Sequence, residues 1–391
     1  MFKKFILKLH LWLGLISGLF VFLICISGAL YVFKEELFVA FHKDKIYVEE
    51  SSADNLPLSD LWDIAQEELG DAYLLKNVIT YKDKSKAWKF KAYKQNPDGI
   101  TYGDWIEYDQ LVYVNPRTGN ITGRLNHKYE FFQLVKMFHW SFLLQTKYGQ
   151  PIVGWSVFIF VILLITGLVL WWPAKMRKKA FKKGLTVNWR GKKRVLNYDL
   201  HNVLGFYSMG LTLILSLTGM VWAFKWFMGL VYVVASGTTV PPEEVNVFSE
   251  PSKVELVKAP MDEVNQAAWA SFPEVYSIRF VAADASSPKA TISAFVREDG
   301  DVYNKAHFQQ YNKYTGELLH SRSYTDMNNG ERLIRMNYDI HVGAIWGLGG
   351  KLLALLGALV GASLPVTGFY IWWFKRREKR KFAEGFDLPV S

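Results

Sequence analysis

Cysteine, and charge within the apolar segments, are what this sequence almost lacks. Cys25 is its single cysteine, so neither a disulfide framework nor a thiolate metal site is available. No nucleotide-binding loop, hydrolase triad or zinc motif occurs either. Four long apolar segments carry no charged residue at all: 11–33, 152–172, 200–224 and 352–374.

Each of these segments is long enough to cross a membrane, whose hydrocarbon core takes about 20 helical residues. Half of all residues are hydrophobic. The first segment is longer than the apolar part of a signal peptide and lacks a small-residue cleavage site before Lys34. This favours a retained helix over a cleaved signal, so the sequence predicts four membrane helices.

The basic residues are concentrated on one side of these helices. Residues 1–10, 175–199 and 375–391 hold 19 of the 46 basic residues but only 4 of the 36 acidic ones. Because Lys and Arg are enriched in cytoplasmic loops, we predict that these stretches and both termini are cytoplasmic. The net charge of +10 then reflects topology, and no nucleic-acid partner is needed to explain it.

Two polar segments, 35–130 and 228–335, are then predicted to lie on the outer side of the membrane. Each contains a proline that opens a predicted helix, at Pro57 and at Pro260, followed by stretches in which apolar residues alternate as in strands. Both segments are too long and too polar to be simple connectors. Each is predicted to form a small α+β domain.

The two halves of the chain repeat one another. His10 corresponds to His201 at an offset of 191 residues, and a turn at 115–119 reappears at 312–316 with a glycine that suits a positive φ. Because each half enters the membrane from the cytoplasm and returns to it, the repeats are predicted to be parallel, related by an axis along the membrane normal. Equivalent residues then lie at the same depth.

Four histidines stand at the predicted membrane boundaries and are candidate metal ligands. By the depth argument, His10 lies opposite His201 at the cytoplasmic side, and His139 lies opposite His341 at the outer side. Helix bundles hold cofactors between inward-pointing side chains, and haem iron accepts imidazole as an axial ligand. We therefore predict two b-type haems, each held by one histidine pair, and electron transfer rather than oxygen binding.

Glycines supply room for a flat macrocycle beside the first pair. His10, Gly14 and Gly18 are spaced at four residues and share one helix face, while His201 and Gly205 repeat the first step. Close helix packing through small residues is the alternative explanation of these glycines. The remaining histidines are predicted to be surface residues: His42, His127, His307 and His320.

Several of these motifs together resemble the PepSY-associated transmembrane family. They are the segment 10–14, the Ser-Gly or Thr-Gly pair late in each apolar segment, and the segments 341–351 and 368–373. The Asn-x-x-Thr-Gly turns resemble the pattern of the PepSY domain itself. The resemblance covers essentially the whole chain and implies an inner-membrane protein, in some members a di-haem reductase that helps release iron from ferric siderophores in the periplasm.

We therefore expect a haem-dependent transmembrane oxidoreductase that reduces a periplasmic ferric siderophore, with electrons from a cytoplasmic flavoprotein or from quinol. Aromatic and basic residues near the outer pair could line the approach of the chelate, although such residues are expected at any membrane interface: Lys147, Tyr148, Arg332, Arg335, Tyr338 and Trp346. Two alternatives stay open. One is a non-enzymatic accessory protein whose PepSY domains bind a protease or peptide, and the other is a permease component for siderophore uptake.

The predicted fold is an α-helical membrane protein with four transmembrane helices in two parallel repeats, each repeat carrying a small α+β PepSY-like periplasmic domain. The predicted boundaries are 1–34 for the first membrane helix, 35–130 for the first domain, 131–174 for an interfacial helix and the second membrane helix, 175–199 for a basic loop, 200–227 for the third membrane helix, 228–335 for the second domain, 336–374 for an interfacial segment and the fourth membrane helix, and 375–391 for a basic tail.

Overall fold

Long helices alternate along the chain with two groups of strands. The computed structural model describes residues 1–50, 52–173, 178–243, 245–250 and 260–384. Residues 174–177, at the start of the predicted basic loop, and 385–391, in the predicted tail, lie outside the described residues. The helices are α1 (Phe2–Tyr31), α2 (Lys34–Phe41), α3 (Lys43–Ile46), α4 (Leu58–Leu69), α5 (Tyr102–Trp105), α6 (Phe131–Ser141), α7 (Thr146–Trp171), α8 (Lys178–Leu185), α9 (Lys193–Ala223), α10 (Lys225–Ser236), α11 (Pro260–Ser271), α12 (Asn329–His341) and α13 (Gly347–Glu384). The strands are β1 (Leu75–Tyr81), β2 (Trp88–Gln95), β3 (Ile106–Val114), β4 (Ile121–Asn126), β5 (Ser277–Val281), β6 (Thr291–Arg297), β7 (Ala306–Asn312) and β8 (Leu318–Arg322).

The chain folds into two compact units. The bundle unit comprises Met1–Val32, Val135–Met228 and Ile340–Ser391, and the sheet unit comprises Phe33–Leu134 and Gly229–Asp339. In the bundle unit, α1, α7, α9 and α13 are long and apolar enough to cross a membrane, which confirms the four predicted membrane helices. Both α7 and α13 pack against α1 and against α9, so α1 lies diagonally across the bundle from α9.

Three membrane helices differ from their predicted boundaries. The third membrane helix begins at Lys193 rather than 200 and ends at Ala223, because Phe224 adopts an extended backbone and α10 starts directly after it. The fourth continues to Glu384 rather than ending at 374. Its extension runs through the basic segment, and Lys and Arg are good helix formers. The first ends at Tyr31, just before α2.

The sheet unit contains one antiparallel sheet of eight strands in the order β4-β3-β2-β1-β5-β6-β7-β8. The central pair joins the two polar segments, with Val78 of β1 opposite Phe280 of β5. The sequence predicts one domain for each of these segments, whereas their strands here form a single sheet. Pairing β1 with β5 removes two strand edges that would otherwise present unpaired N–H and C=O groups.

Helices α4 and α11 cover one face of this sheet, and both begin and end close to where their prolines predict. Apolar residues at alternate strand positions fill the space beneath them, among them Phe90 and Phe280, which are fully buried. The two helices are joined at their first turns, where the backbone N–H and the hydroxyl of Ser59 donate to the carboxylate of Asp262 at 2.9 and 2.5 Å. Truncating Phe280 to alanine would cost about 3–5 kcal/mol of stability.

The two predicted Thr-Gly turns have the same conformation. Gly119 has a φ of 73° and Gly316 a φ of 72°, which confirms the predicted positive φ. Each turn begins with an asparagine whose side-chain oxygen accepts a hydrogen bond from the backbone N–H of the residue two positions later. The distance is 3.0 Å for Asn115 and 2.9 Å for Asn312. A side chain at either glycine would impose a strained backbone.

Candidate cofactor sites in the helix bundle

The structure brings the four candidate histidines together as two pairs within the bundle unit. The ring centres of His10 and His201 lie 6.3 Å apart, with the ring planes at 86°. Those of His139 and His341 lie 6.1 Å apart, at 54°. His10 and His201 are on α1 and α9, and His139 and His341 stand at the C-terminal ends of α6 and α12.

Both ring separations match the distance that a shared metal ion requires. An ion held by one nitrogen of each imidazole at about 2 Å, with about 1 Å from that nitrogen to the ring centre, sets the ring centres about 6 Å apart. Each pair is therefore spaced to hold one ion between its rings. From His10 to Ser27, which contacts His139, α1 rises about 25 Å, so the two candidate sites are well separated along the bundle.

A hydroxyl group from a neighbouring helix contacts the Nδ1 atom of each of the four histidines. The distance to Nδ1 is 2.9 Å for His10 and for His201, 2.8 Å for His341 and 3.2 Å for His139. The partners are, respectively, Thr166 on α7, Thr367 on α13, Thr218 on α9 and Ser27 on α1. Four histidines on four different helices thus share one local arrangement.

These hydroxyls also determine which ring nitrogen carries the proton. Each hydroxyl donates to the carbonyl four residues earlier in its own helix, at 2.7–2.8 Å, so toward the imidazole it can only accept. Nδ1 must then be the N–H donor, and for His139 it also lies 2.9 Å from the carbonyl oxygen of Ile24. Nε2 is left with its lone pair free, which is the tautomer that binds a metal.

A glycine follows each of the four hydroxyl residues, and the histidine ring lies directly against it. A methyl group added at Gly28 would lie 3.0 Å from Cε1 of His139, and one added at Gly368 would lie 3.2 Å from Cε1 of His201. The corresponding distances are 3.4 Å from Gly167 to His10 and 3.7 Å from Gly219 to His341. The approach is closest at Gly28 and Gly368. Each Ser-Gly or Thr-Gly pair therefore both anchors the ring and leaves space for it.

Each histidine pair offers two ligand atoms and no more. In the described part of the chain, no group of three or more His, Cys, Asp or Glu side chains is arranged to hold a metal ion. A bare Zn²⁺ ion takes four ligands in a structural site and three protein ligands in a catalytic one. An ion at these sites would therefore need further ligands from outside the protein.

A cavity of about 920 Å³ adjoins the first pair, between α1 and α13, and is lined by both His10 and His201. Gly14 and Gly18 also line it, although Gly18 packs closely too, with 3.3 Å between an added methyl group and Pro365. Gly205 lies elsewhere. It borders a space of about 60 Å³ beside Trp171 and Phe206, whose stacked rings are 3.8 Å apart.

Lys375 and Arg376 are the charged residues that line this cavity, and sequence reasoning did not single them out. Lys375 follows Gly368 by seven residues on α13, so both lie on the same helix face. Neither side chain forms a salt bridge within the described residues, and Arg376 stacks on Trp372 at 5.3 Å. The apolar cavity thus has two free cations at one end.

The second pair lies beside aromatic rings and an unusual turn. Trp222 packs edge-on against His341 with ring centres 5.2 Å apart, and Trp140 approaches Trp222 at 6.1 Å. In the turn that follows α6, Phe142 and Leu143 have positive φ values of 52° and 57°. Residues other than glycine rarely adopt such values. Such strain persists only where the surrounding structure imposes it, and it is common at functional sites.

The other residues singled out from the sequence belong to both units. Lys147 stacks over Tyr148 at 4.8 Å in the bundle unit, where Trp346 is exposed, whereas Arg332, Arg335 and Tyr338 belong to the sheet unit. The expectation that His307 is a surface residue is wrong. It is buried and bonds to Glu298 and Ser323, because β7 turns this position toward α11.

Four membrane-length helices define a multi-pass membrane protein, and its bundle unit contains two pairs of half-buried histidines. The chain matches the model of the PepSY-associated TM region over residues 7–375. It therefore belongs to the PepSY-associated transmembrane family, as its motifs predict. No curated protein matches the chain.

Proposed function

We propose that this protein is a di-haem electron-transfer protein that reduces a ferric chelate, such as a ferric siderophore, and so releases its iron. One haem would be held by His10 and His201, and the other by His139 and His341. Transfer of single electrons is the chemistry that haem iron supplies when bound. The observation that carries the proposal is the ring separation of 6.3 and 6.1 Å in the two pairs.

The residues around the first pair fit a haem in three respects. Two imidazoles with free Nε2 atoms would hold the iron, and the macrocycle would supply the further ligands that the described residues lack. Gly14 and Gly18 leave part of the adjoining cavity without side chains. Lys375 and Arg376 suit the two carboxylates that a haem carries, because cations pair strongly with carboxylates. The cavity and its charges therefore match an apolar, dianionic group.

The membrane orientation follows from the basic segments and is part of the same proposal. With residues 1–10 and 375–391 cytoplasmic in a bacterial inner membrane, the His10 pair lies toward the cytoplasm and the His139 pair toward the periplasm. The donor would be a cytoplasmic flavoprotein or a membrane quinol. The acceptor would be a ferric chelate that reaches the protein from the periplasmic side.

Stopped-flow spectroscopy of the protein in lipid nanodiscs tests this function. Protein expressed with sufficient haem is reduced with dithionite, freed of excess reductant and mixed with a ferric chelate. We expect the reduced haem bands to decay as ferrous iron appears, with the gallium chelate giving no decay because Ga³⁺ is not reduced. Protein that carries no haem, or haem that the chelate does not oxidise, would contradict the proposal and favour an accessory role in peptide binding.

A further inference from the structure

A row of side chains crosses the sheet on the face opposite to α4 and α11. The register pairs Tyr113 with Lys89, Lys89 with Ile79, Ile79 with Arg279, and Arg279 with Phe295. We call these five residues the cationic row. Lys89 and Arg279 lie two strands apart, about 10 Å between their backbones, so two positive charges flank the centre of the sheet.

The cations of this row lack the carboxylate partners that their neighbours have. Around the row, Lys34 pairs with Glu35 at 2.6 Å and Lys91 pairs with Asp109 at 3.0 Å. In the described residues, Lys89 and Arg279 form no salt bridge, and Arg279 contacts only the ring of Phe295 at 4.4 Å.

Arg297 is a third cation near the row, and it too forms no salt bridge within the described residues. It donates to the carbonyl oxygens of Val302 and Gly300, and its guanidinium group stacks on the ring of Tyr303 at 3.6 Å. With Lys89 and Arg279, this gives three positive charges that form no salt bridge within the described residues, although Glu35 acts on Lys89 and Asp339 on Arg297 from a greater distance.

An unpaired charge at the partly buried Lys89 is costly in the absence of a ligand, whereas Arg279 is exposed to solvent. Desolvation lowers the pKa of Lys89 to about 8, with Lys34, Lys91 and Arg297 adding like charge against the opposing effect of Glu35. Desolvation also lowers the pKa of Arg279. The hydroxyl of Tyr113, in the same row, is buried and has no hydrogen-bond partner within the described residues. A polyanion would supply the missing charge.

We infer that the cationic row binds a polyanionic chelate of Fe(III), in which carboxylate or catecholate oxygens surround the metal, and that this class of chelate is the acceptor. The inference rests on the proposed function and specifies its substrate. One electron from the donor, a quinol or a flavoprotein, reduces Fe(III) to Fe(II), and the chelator itself is unchanged. An uncharged trihydroxamate chelate offers the row no complementary charge.

Binding of redox-inert gallium chelates separates this inference from the electron transfer. Haem-loaded protein in neutral phosphatidylcholine nanodiscs is titrated with a trianionic gallium tricatecholate and with an uncharged gallium trihydroxamate. We expect the trianion to bind at least tenfold more tightly. The substitutions Lys89→Gln and Arg279→Gln should each weaken binding of the trianion about tenfold and leave the trihydroxamate unchanged.

Two control variants remove a cation from the opposite face of the sheet. Lys94 alternates with Lys89 and Lys91 along β2, and Arg124 of β4 donates to the carbonyl of Glu68 on the helix side. We expect Lys94→Gln and Arg124→Gln to bind the trianion like the unchanged protein. Lys89→Arg, which keeps the charge, should also bind normally, and unchanged haem content and melting temperature show that all variants are folded.

Three results would overturn the inference. They are equal affinity for the two chelates, loss of affinity in the control variants alone, and displacement of the trianion by phosphatidylglycerol nanodiscs, which would assign the row to lipid headgroups. The failure of the proposed function looks different. In that case the trianion binds with the expected selectivity, but its ferric form does not oxidise the reduced haem.

Discussion

The hydroxyl oxygen of Thr166 lies 2.9 Å from Nδ1 of His10, and Thr367 stands at the same distance from His201. Because both hydroxyl protons are used within their own helices, each imidazole is fixed as the tautomer with a free Nε2. The ring centres lie 6.3 Å apart, and the same hydroxyl contact is repeated at the second pair. This relation is the basis for proposing both pairs as ligand sites.

Removing one hydroxyl tests this role of the threonines. We expect Thr166→Val to lower the affinity of the His10 site for haem about 10- to 100-fold, the range typical of a lost partner behind a metal ligand. Haem titration of the purified apoprotein measures the effect. Thr212→Val is the matched control, because Thr212 bonds only to carbonyls of its own helix. An equal loss in both variants would contradict the role of Thr166.

The glycines after the hydroxyl residues should differ in their tolerance of a methyl group. Gly28→Ala places a carbon 3.0 Å from Cε1 of His139, whereas Gly219→Ala leaves 3.7 Å to His341. We expect Gly28→Ala to displace the imidazole and abolish the second haem, and Gly219→Ala to retain it, as judged by haem content.

Gly210→Ala is the control for a helical glycine with open space around it. It should keep both haems and raise stability slightly, since alanine is favoured in helices by about 1 kcal/mol. Equal haem content in the Gly28 and Gly210 variants would show that the contact with His139 is not required.

The cations at the cavity end should determine how the first haem is held. We expect Lys375→Gln and Arg376→Gln each to lower the affinity for haem about tenfold and to lower its midpoint potential, because a nearby positive charge favours the ferrous state. Affinity for haem dimethyl ester, which lacks the carboxylates, should not change. Arg377→Gln is the control, since Arg377 does not line the cavity. If the ratio of the affinity for haem to the affinity for its dimethyl ester is the same in all three variants, the two cations do not recognise the carboxylates.

Binding at the cationic row should weaken as pH rises. The pKa of Lys89 is lowered by burial to about 8, with Lys34, Glu35, Lys91 and Arg297 as its charged neighbours, so the amine is protonated near pH 7 and neutral well above 8. We expect the affinity for the gallium tricatecholate to be constant below pH 7 and to fall above pH 8. In the Lys89→Arg variant the affinity should stay constant to pH 9. If the affinity of this variant also falls above pH 8, the pH dependence belongs to another group.

The sequence was sufficient to predict which histidines meet. The offset of 191 residues between His10 and His201, together with a parallel repeat, places both at one depth, and the structure brings them together. The hydroxyl residues were visible as Ser-Gly and Thr-Gly pairs, but their role required knowing which helices are neighbours. Thr166 and His10 are 156 residues apart, and no local pattern connects them.

The single sheet and its cationic row could not be predicted in this way. Alternation of apolar residues shows that β1 and β5 are strands, but it does not name their partners. Only the pairing of Ile79 with Lys89 on one side and Arg279 on the other places these two cations in one row. Lys375 and Arg376 were assigned to a general cytoplasmic excess of charge, because their place beside a cavity depends on the packing of α13.

Counting haems in ligand variants tests the central claim most directly. Protein expressed with sufficient haem should contain two haems per chain, and the double variant His10→Ala/His201→Ala should retain one. The double variant His139→Ala/His341→Ala should retain the other, whereas His10→Ala/His139→Ala should retain none. Two results would contradict the account. One is a colourless protein without substitutions, and the other is a His10/His139 variant that retains one haem together with a His10/His201 variant that retains none.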